Sequence, residues 1–166
     1  PESESFRRII PLPDGGWLLG GGSQSPSGDI KTAPHYGESD CWLLRLDPQG
    51  NAIWEHAFGG SEDDFLLDLA LTPEGNLLAG CESASPPGGT KTSPLWGKAD
   101  YWVVALDPTG HVLREQSFGG TDTDHLEAIV PTFDGGVLLA GQSLSGADGN
   151  KSSPNRNSNP EMPVIT

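Results

Sequence analysis

Positive charge is scarce in this sequence: 9 Lys and Arg stand against 23 Asp and Glu, a formal net charge of −14 over 166 residues. That balance excludes ordinary nucleic-acid binding, which needs Lys and Arg to displace counterions from phosphates. It equally excludes attraction to anionic membrane surfaces. An acidic surface of this kind serves solubility first, with calcium or a basic partner as its other uses. Long apolar runs are missing too. None approaches the roughly 18 residues that a spanning helix needs, so membrane insertion is not expected. The two cysteines, Cys41 and Cys81, have neither a CxxC nor a Cys/His spacing, which argues against a metal site. They are read as buried free thiols, an oxidising compartment leaving a disulfide open. The chain starts at Pro1 with neither an initiator methionine nor a signal peptide. A piece of something longer is expected, a processed mature chain being the other explanation.

Glycine and proline are what the sequence has in plenty, 23 and 15 residues, beside a hydrophobic fraction of only 34%. This mixture disfavours helices and requires many turns. It is also periodic. Asp40-Cys41-Trp42 returns as Asp100-Tyr101-Trp102, Phe58-Gly59-Gly60 as Phe118-Gly119-Gly120, and Gly15 as Gly75 and Gly135, always at a step of 60 residues without insertion. A fixed period of several tens of residues, built from short strands, points to a propeller or another repeat array.

Each unit reads as four strands. In the first, a strand over 5–10 leads through the turn Pro13-Asp14-Gly15-Gly16 to a second strand over 17–21. Its counterparts run over 65–70 and 76–81, then 125–130 and 137–141. Glycine in these turns supplies the positive φ of a tight hairpin. A loop rich in Ser, Pro and Gly follows at 23–39, 83–99 and 143–159. The third strand, 41–46 and 101–106, is apolar at consecutive positions, which predicts burial on both faces. Asp47-Pro48-Gln49-Gly50 and Asp107-Pro108-Thr109-Gly110 form the next hairpin turn. The fourth strand, 52–58 and 111–118, is more polar, as suits an outer strand.

The expected fold is therefore all-β: four-stranded antiparallel meander blades in a partial β-propeller of about two and three-quarter blades. Residues 1–60 and 61–120 are complete repeats, 121–159 a partial one, and 160–166 a tail that departs from the pattern. There Pro160 and Pro163 argue against a central strand. In a meander, alternate connections share an edge. The long loops and the Gly-Gly links thus fall on one face, where binding is expected, and the tight turns on the other. Propellers close with about four to eight blades. The expected partners are accordingly other blades of a longer chain, further copies of this one, or another protein chain, any of which would cover bare apolar blade faces.

The combination D-[YC]-W-[VL]-[VL]-x-L-D-P-x-G, F-G-G-[ST]-x-[DT]-D and D-G-G-x-L-L-[AG]-G resembles the SBBP-type β-propeller repeat. It is most similar to the version found in secreted, multi-repeat surface proteins of bacteria that use type IX secretion. The likeness runs from about Ser3 to Ser153 and is specific as a repeat signature. It departs in the tail and at Glu74-Gly75-Asn76, which replaces Asp-Gly-Gly. What it implies is export to the bacterial cell surface and a part in adhesion or extended surface structures, with no chemistry attached.

Three sets of residues on the long-loop face are candidate sites. Asp63, Asp64, Asp122 and Asp124 in the links between units offer carboxylate oxygens to calcium, the one candidate cofactor. The spacing matches no defined calcium loop, so backbone hydrogen bonds to Asp64 and Asp124 are the favoured reading. Ala147-Asp148-Gly149-Asn150 also resembles a calcium turn, but Asp29 and Gly89-Thr90 do not keep its oxygens. Lys31, Lys91 and Lys151 recur once per unit. They either bind an anion or, as favoured, serve the unit itself through an ion pair to Asp40 and Asp100 or a stem packed on an aromatic ring. Tyr36 and Trp96 share a loop position. Such rings either stack on sugars, a lectin-like use with a glycan as partner, or fold back to anchor their loops, the reading preferred.

Signals for an enzyme are poor. His35, His56, His111 and His125 fall at unrelated places in the repeat, and no nucleophilic triad can be assembled. Paired carboxylates for glycoside hydrolysis remain available among 23 acids. The reading adopted is a non-enzymatic repeat module of an exported cell-surface protein. A carbohydrate-binding propeller and an enzyme subunit are the alternatives.

Overall fold

Every tight connection is built the same way. Gly15 N–H donates to the Leu12 carbonyl at 2.9 Å, and Leu12 N–H donates to that of Gly16 at 2.9 Å. Gly15 takes φ 84°, and Gly50, Gly75, Gly110 and Gly135 repeat it at 86°, 88°, 91° and 82°. A side chain is strained in this left-handed region, which is why glycine recurs there. The flanking strands therefore fold back on each other as hairpins.

The computed structural model of the protein describes residues 3–28, 31–154 and 164–165. Its strands are β1 (Glu4–Pro11), β2 (Trp17–Ser23), β3 (Asp40–Leu46), β4 (Ala52–Phe58), β5 (Asp64–Leu71), β6 (Leu77–Ser83), β7 (Asp100–Leu106), β8 (Val112–Phe118), β9 (Asp124–Pro131), β10 (Val137–Ser143) and β11 (Val164–Ile165), with no helix among the described residues. They form two four-stranded antiparallel sheets, β1-β2-β3-β4 and β5-β6-β7-β8, and a three-stranded sheet, β11-β10-β9. The registers of the first two superimpose under the 60-residue step: Gly22 faces Cys41 as Glu82 faces Tyr101.

The tail keeps more than the sequence suggests. Val164 and Ile165 pair with Gly141 and Ala140 at the edge of the third sheet. An edge strand donates to one side only, so prolines nearby are tolerated there as they would not be in a central strand. Pro160 and Pro163 themselves lie outside the described residues, as does Asp29.

The sheets pack face to face in chain order. Leu18, Cys41, Leu43 and Phe58 of unit 1 meet Leu66, Leu69, Cys81, Trp102 and Val104 of unit 2 in one core. Leu67, Leu78, Tyr101 and Val103 of unit 2 meet Leu126, Ile129 and Leu139 of unit 3 in the next. The middle sheet is thus buried on both sides, and β7 is buried at six of its seven positions, as its unbroken apolar run requires. Each large side chain so removed from water contributes about 1.5–3 kcal/mol.

The first strand of each unit carries a bulge, at Phe6/Arg8, Leu66/Asp68 and Leu126/Ala128. Bulges re-aim side chains. On β5, Asp68 accepts from Arg8 Nε at 2.9 Å and from Ile129 N–H at 3.1 Å, so one carboxylate ties the first strands of all three units.

Candidate functional site on the long-loop face

The long loops close over the links between units, and the loop lysines point inward. Lys31 and Lys91 are buried. Lys31 Nζ donates to the Ser25 and Pro34 carbonyls at 2.7 and 3.2 Å, and Lys91 Nζ to those of Ser93 and Pro94 at 3.0 and 3.2 Å. Lys151 Nζ donates to the Ser145 carbonyl at 2.6 Å. The ammonium groups hold backbone oxygen in place of the expected ion pair with Asp40 and Asp100. Burial lowers the Lys91 pKa, while the charges of Asp64, Glu115 and Asp100 work against that shift. A lysine so enclosed gathers its own loop instead of presenting charge to a ligand.

Glu55 and Glu115, on the fourth strands, form a second hub that the sequence reading did not single out. Glu115 accepts from Thr92 N–H at 2.9 Å, from Ser93 N–H and Oγ at 2.6 Å each, and from Trp102 Nε1. Glu55 accepts from Trp42 Nε1 at 2.9 Å, Thr32 Oγ1 at 2.8 Å and Ala33 N–H at 3.2 Å. Burial acts to raise the Glu115 pKa, but these hydrogen bonds outweigh it and leave the carboxyl below its usual range. The signal was present in the exact recurrence of Trp and Glu, 42 with 55 and 102 with 115.

Between units the acids build a clasp. Asp64 Oδ2 accepts from Gly60 N–H at 2.7 Å and Ser85 Oγ at 2.7 Å; Asp124 Oδ2 accepts from Gly120 N–H at 2.8 Å and Ser145 Oγ at 2.7 Å. A Cβ on Gly59 would stand 2.3 Å from Asp40 Oδ1 and 2.8 Å from Asp64 Oδ2, and one on Gly119 would stand 2.2 and 2.8 Å from Asp100 and Asp124. This close approach explains the repeated Phe-Gly-Gly. All four carboxylates are buried. Burial first, then the neighbouring Asp40 charge, raises the Asp64 pKa; burial and the Asp124 charge push Asp100 up to about 6.

The other link acids are placed differently. Asp63 is half-buried, and its carbonyl accepts from Ala84 N–H at 2.9 Å. Asp122 pairs with Lys98 Nζ at 2.9 Å on the surface, which lowers its pKa. In the loop 147–150 the oxygens are taken as well: Asp148 accepts from Thr121 N–H and Oγ1 at 2.8 and 2.9 Å, and Asn150 Oδ1 from Gly119 N–H at 2.9 Å. Among the described residues no group of three or more His, Cys, Asp and Glu is arranged to hold a metal ion.

Tyr36 packs beside Ala33, Trp42 and Ala57, while its equivalent Trp96 is exposed. Both loops are pinned at this residue, since Tyr36 N–H donates to Asp40 Oδ2 at 2.9 Å and Trp96 N–H to Asp100 Oδ2 at 2.6 Å. Along the first strands a groove of about 380 Å³ opens, lined by Ser5 and Arg7 of unit 1, Phe65 and Glu82 of unit 2 and His125 of unit 3 among others. His125 Nδ1 is bonded to Glu82 there.

These features define a class: an all-β repeat protein whose antiparallel sheets are joined face to face by a buried polar clasp. No family model matches the chain. It is similar to the regulatory protein FlaEY of Caulobacter vibrioides, 30% identical over 112 residues. The alignment takes in 65% of this chain and 12% of the Caulobacter protein, so the chain spans only a small part of that relative's length.

Proposed function

We propose that the protein is a non-enzymatic structural module, a run of SBBP-type β-propeller blades in an exported, bacterial cell-surface protein, which works by packing against further units of its own kind. One observation carries this. Phe6 and Ile9 on the first sheet are 47% and 59% exposed, whereas their equivalents Leu66 and Leu69 are 2% and 5% exposed beneath unit 1, and Leu126 and Ile129 0% and 3% beneath unit 2. At the other end Leu138 is 42% exposed where Leu78 is 3%. The same positions are covered wherever a neighbouring unit is present, so the occupant that fits the two open faces is another such unit. A longer chain or a second copy would supply it. The inward lysines, which hold carbonyls of their own loops, and the glutamates engaged by Trp and Thr donors support a scaffold over a catalyst. A module that offers surfaces is also compatible with the Caulobacter relative's being a regulatory protein.

The test is the mass of the natural chain together with its native mass by light scattering. Further 60-residue repeats, or a defined oligomer dispersed by Ile9→Asp and Leu138→Asp, are expected. A natural chain of this length that stays monomeric at high concentration would sink the proposal. Protease accessibility on intact source cells tests the surface location.

A second reading, a glycan-binding propeller, is favoured by the groove along the first strands with its half-exposed Phe65 beside Glu82 and His125. Titration with neutral disaccharides should then quench or shift signals in wild type and not in Phe65→Ala.

A further inference from the structure

The chain's two cysteines meet across the junction between units 1 and 2. Cys41 lies on β3 opposite Gly22 and Phe58, and Cys81 on β6 opposite Leu66 and Trp102. Both are free and fully buried within the same apolar cluster. Burial first, and then Cys81, raises the Cys41 pKa.

The repeat supplies an independent check on this pairing. One step on, Cys41 becomes Tyr101 and Cys81 becomes Gly141, and these are again partners. The Tyr101 hydroxyl lies 2.7 Å from where a Cβ on Gly141 would stand, and it donates to the Gln142 carbonyl at 3.1 Å. At the second junction the third-strand residue of one unit therefore reaches the second-strand residue of the next, and the 60-residue step puts Cys41 and Cys81 in the same relation within one apolar cluster. At the second, one long side chain faces a residue with none. At the first, two short side chains ending in sulfur share the same space. Among the described residues neither belongs to a group able to hold a metal.

We propose that Cys41 and Cys81 are a modification site, closing to a disulfide that links unit 1 covalently to unit 2 when the protein folds with a disulfide-exchange oxidant present. One thiolate attacks the disulfide of the oxidant, a thiol–disulfide oxidoreductase or a small disulfide such as oxidised glutathione. The second thiolate then displaces the oxidant's sulfur from the mixed disulfide. Two S–H bonds are lost and one S–S bond forms; the two electrons and two protons leave as the two thiols of the reduced oxidant. The reaction precedes closure of the junction, because the folded pair is shielded from solvent and its thiolate form is disfavoured by burial. The bond then restricts the unfolded chain and holds the first interface shut. The pairing geometry does not depend on the export reading, although the oxidising compartment that would supply the oxidant does.

The full chain should be refolded in a buffer of reduced and oxidised glutathione, alkylated, and mapped by mass spectrometry. An intramolecular Cys41–Cys81 cross-link is expected, with the mass of two hydrogen atoms lost and a Tm roughly 10 °C above that of the reduced protein. Free thiols at both positions after refolding in excess oxidised glutathione, or cross-links only between chains, would overturn the proposal. The double substitution Cys41→Tyr with Cys81→Gly copies the second junction and should give a Tm indifferent to the redox buffer. Cys81→Ser provides the same readout with less change in volume. A Tm in either variant that still follows the redox buffer also overturns it. A cross-link formed in the tube by a protein found inside its cells would remove the export reading and keep this one; a surface protein that never cross-links would do the reverse.

Discussion

The junction between units 1 and 2 and the junction between units 2 and 3 carry the same polar bonds around different fillings. In both, an aspartate takes the Gly-Gly amide and a serine hydroxyl, and a second aspartate holds the amide of the loop aromatic. Around this frame the first junction has Cys41, Cys81 and His35, and the second Tyr101, Gly141 and Leu95. The first two exchanges replace a pair of short side chains by one long side chain facing a residue with none. The third exchange changes electrostatics: His35 Nδ1 sits 2.9 Å from Asp40 Oδ2, whereas Leu95 offers Asp100 no such partner. The lesson is that the hydrogen-bond frame defines a junction and the filling tunes it.

The comparison breaks hardest at the frame. Asp64→Ala and Asp124→Ala each leave a buried amide and hydroxyl without an acceptor, and each should cost about 3 kcal/mol in urea unfolding, by similar amounts. Unequal losses would mean that the two clasps are not equivalent. Next comes the Trp–Glu hub. Glu115→Ala orphans the indole of fully buried Trp102, so it should cost about 2 kcal/mol and speed hydrogen exchange over 83–99. Glu55→Ala should cost less, since unit 1's outer face is open.

Acidity sharpens the contrast further. The Asp100 carboxyl titrates near 6 in the folded chain against 3.8 when unfolded, so the folded state binds its proton more tightly. This contribution is fully present below about 4 and is lost as pH rises through about 6. A loss on the order of 2 kcal/mol over that window is expected, and Asp100→Asn should remove it while leaving the part of the slope that the raised Asp64 carboxyl contributes. Leu95→His, which installs the first junction's partner, should flatten the Asp100 part; an unchanged slope in both variants would assign the effect elsewhere. Smallest is the surface pair: Lys98→Ala should leave the Tm where it was.

Much of the fold was legible because it is set locally. The turn glycines, the proline after Asp47 and Asp107, and the apolar run of 101–106 each act within a few residues, and the step of 60 gave them register. The site was less legible because its bonds cross between loops and sheets. Nothing near Lys31 or Lys91 says that the ammonium turns inward to carbonyls of its own loop. Tyr36 and Trp96 hold the same position with different exposure, a difference made by surroundings distant in sequence. That Asp40 and Asp64 close over Gly59 depends on two units meeting, and so does the approach of Cys41 to Cys81.

The tie that Asp68 makes between Arg8 and Ile129 has a mechanical side. Within a sheet, ladder bonds load pairwise from strand to strand. Between sheets, the backbone bonds Asp64 N–H to Ser39 O at 2.7 Å and Asp124 N–H to Ala99 O at 2.8 Å carry tension directly from unit to unit. A pull entering at β1 can reach β9 through a single carboxylate without crossing the outer strands. The molecule under load is then a short row of stiff plates hinged along the seam of their first strands, and stretching it would release whole plates in turn, the two complete ones each yielding 60 residues of slack.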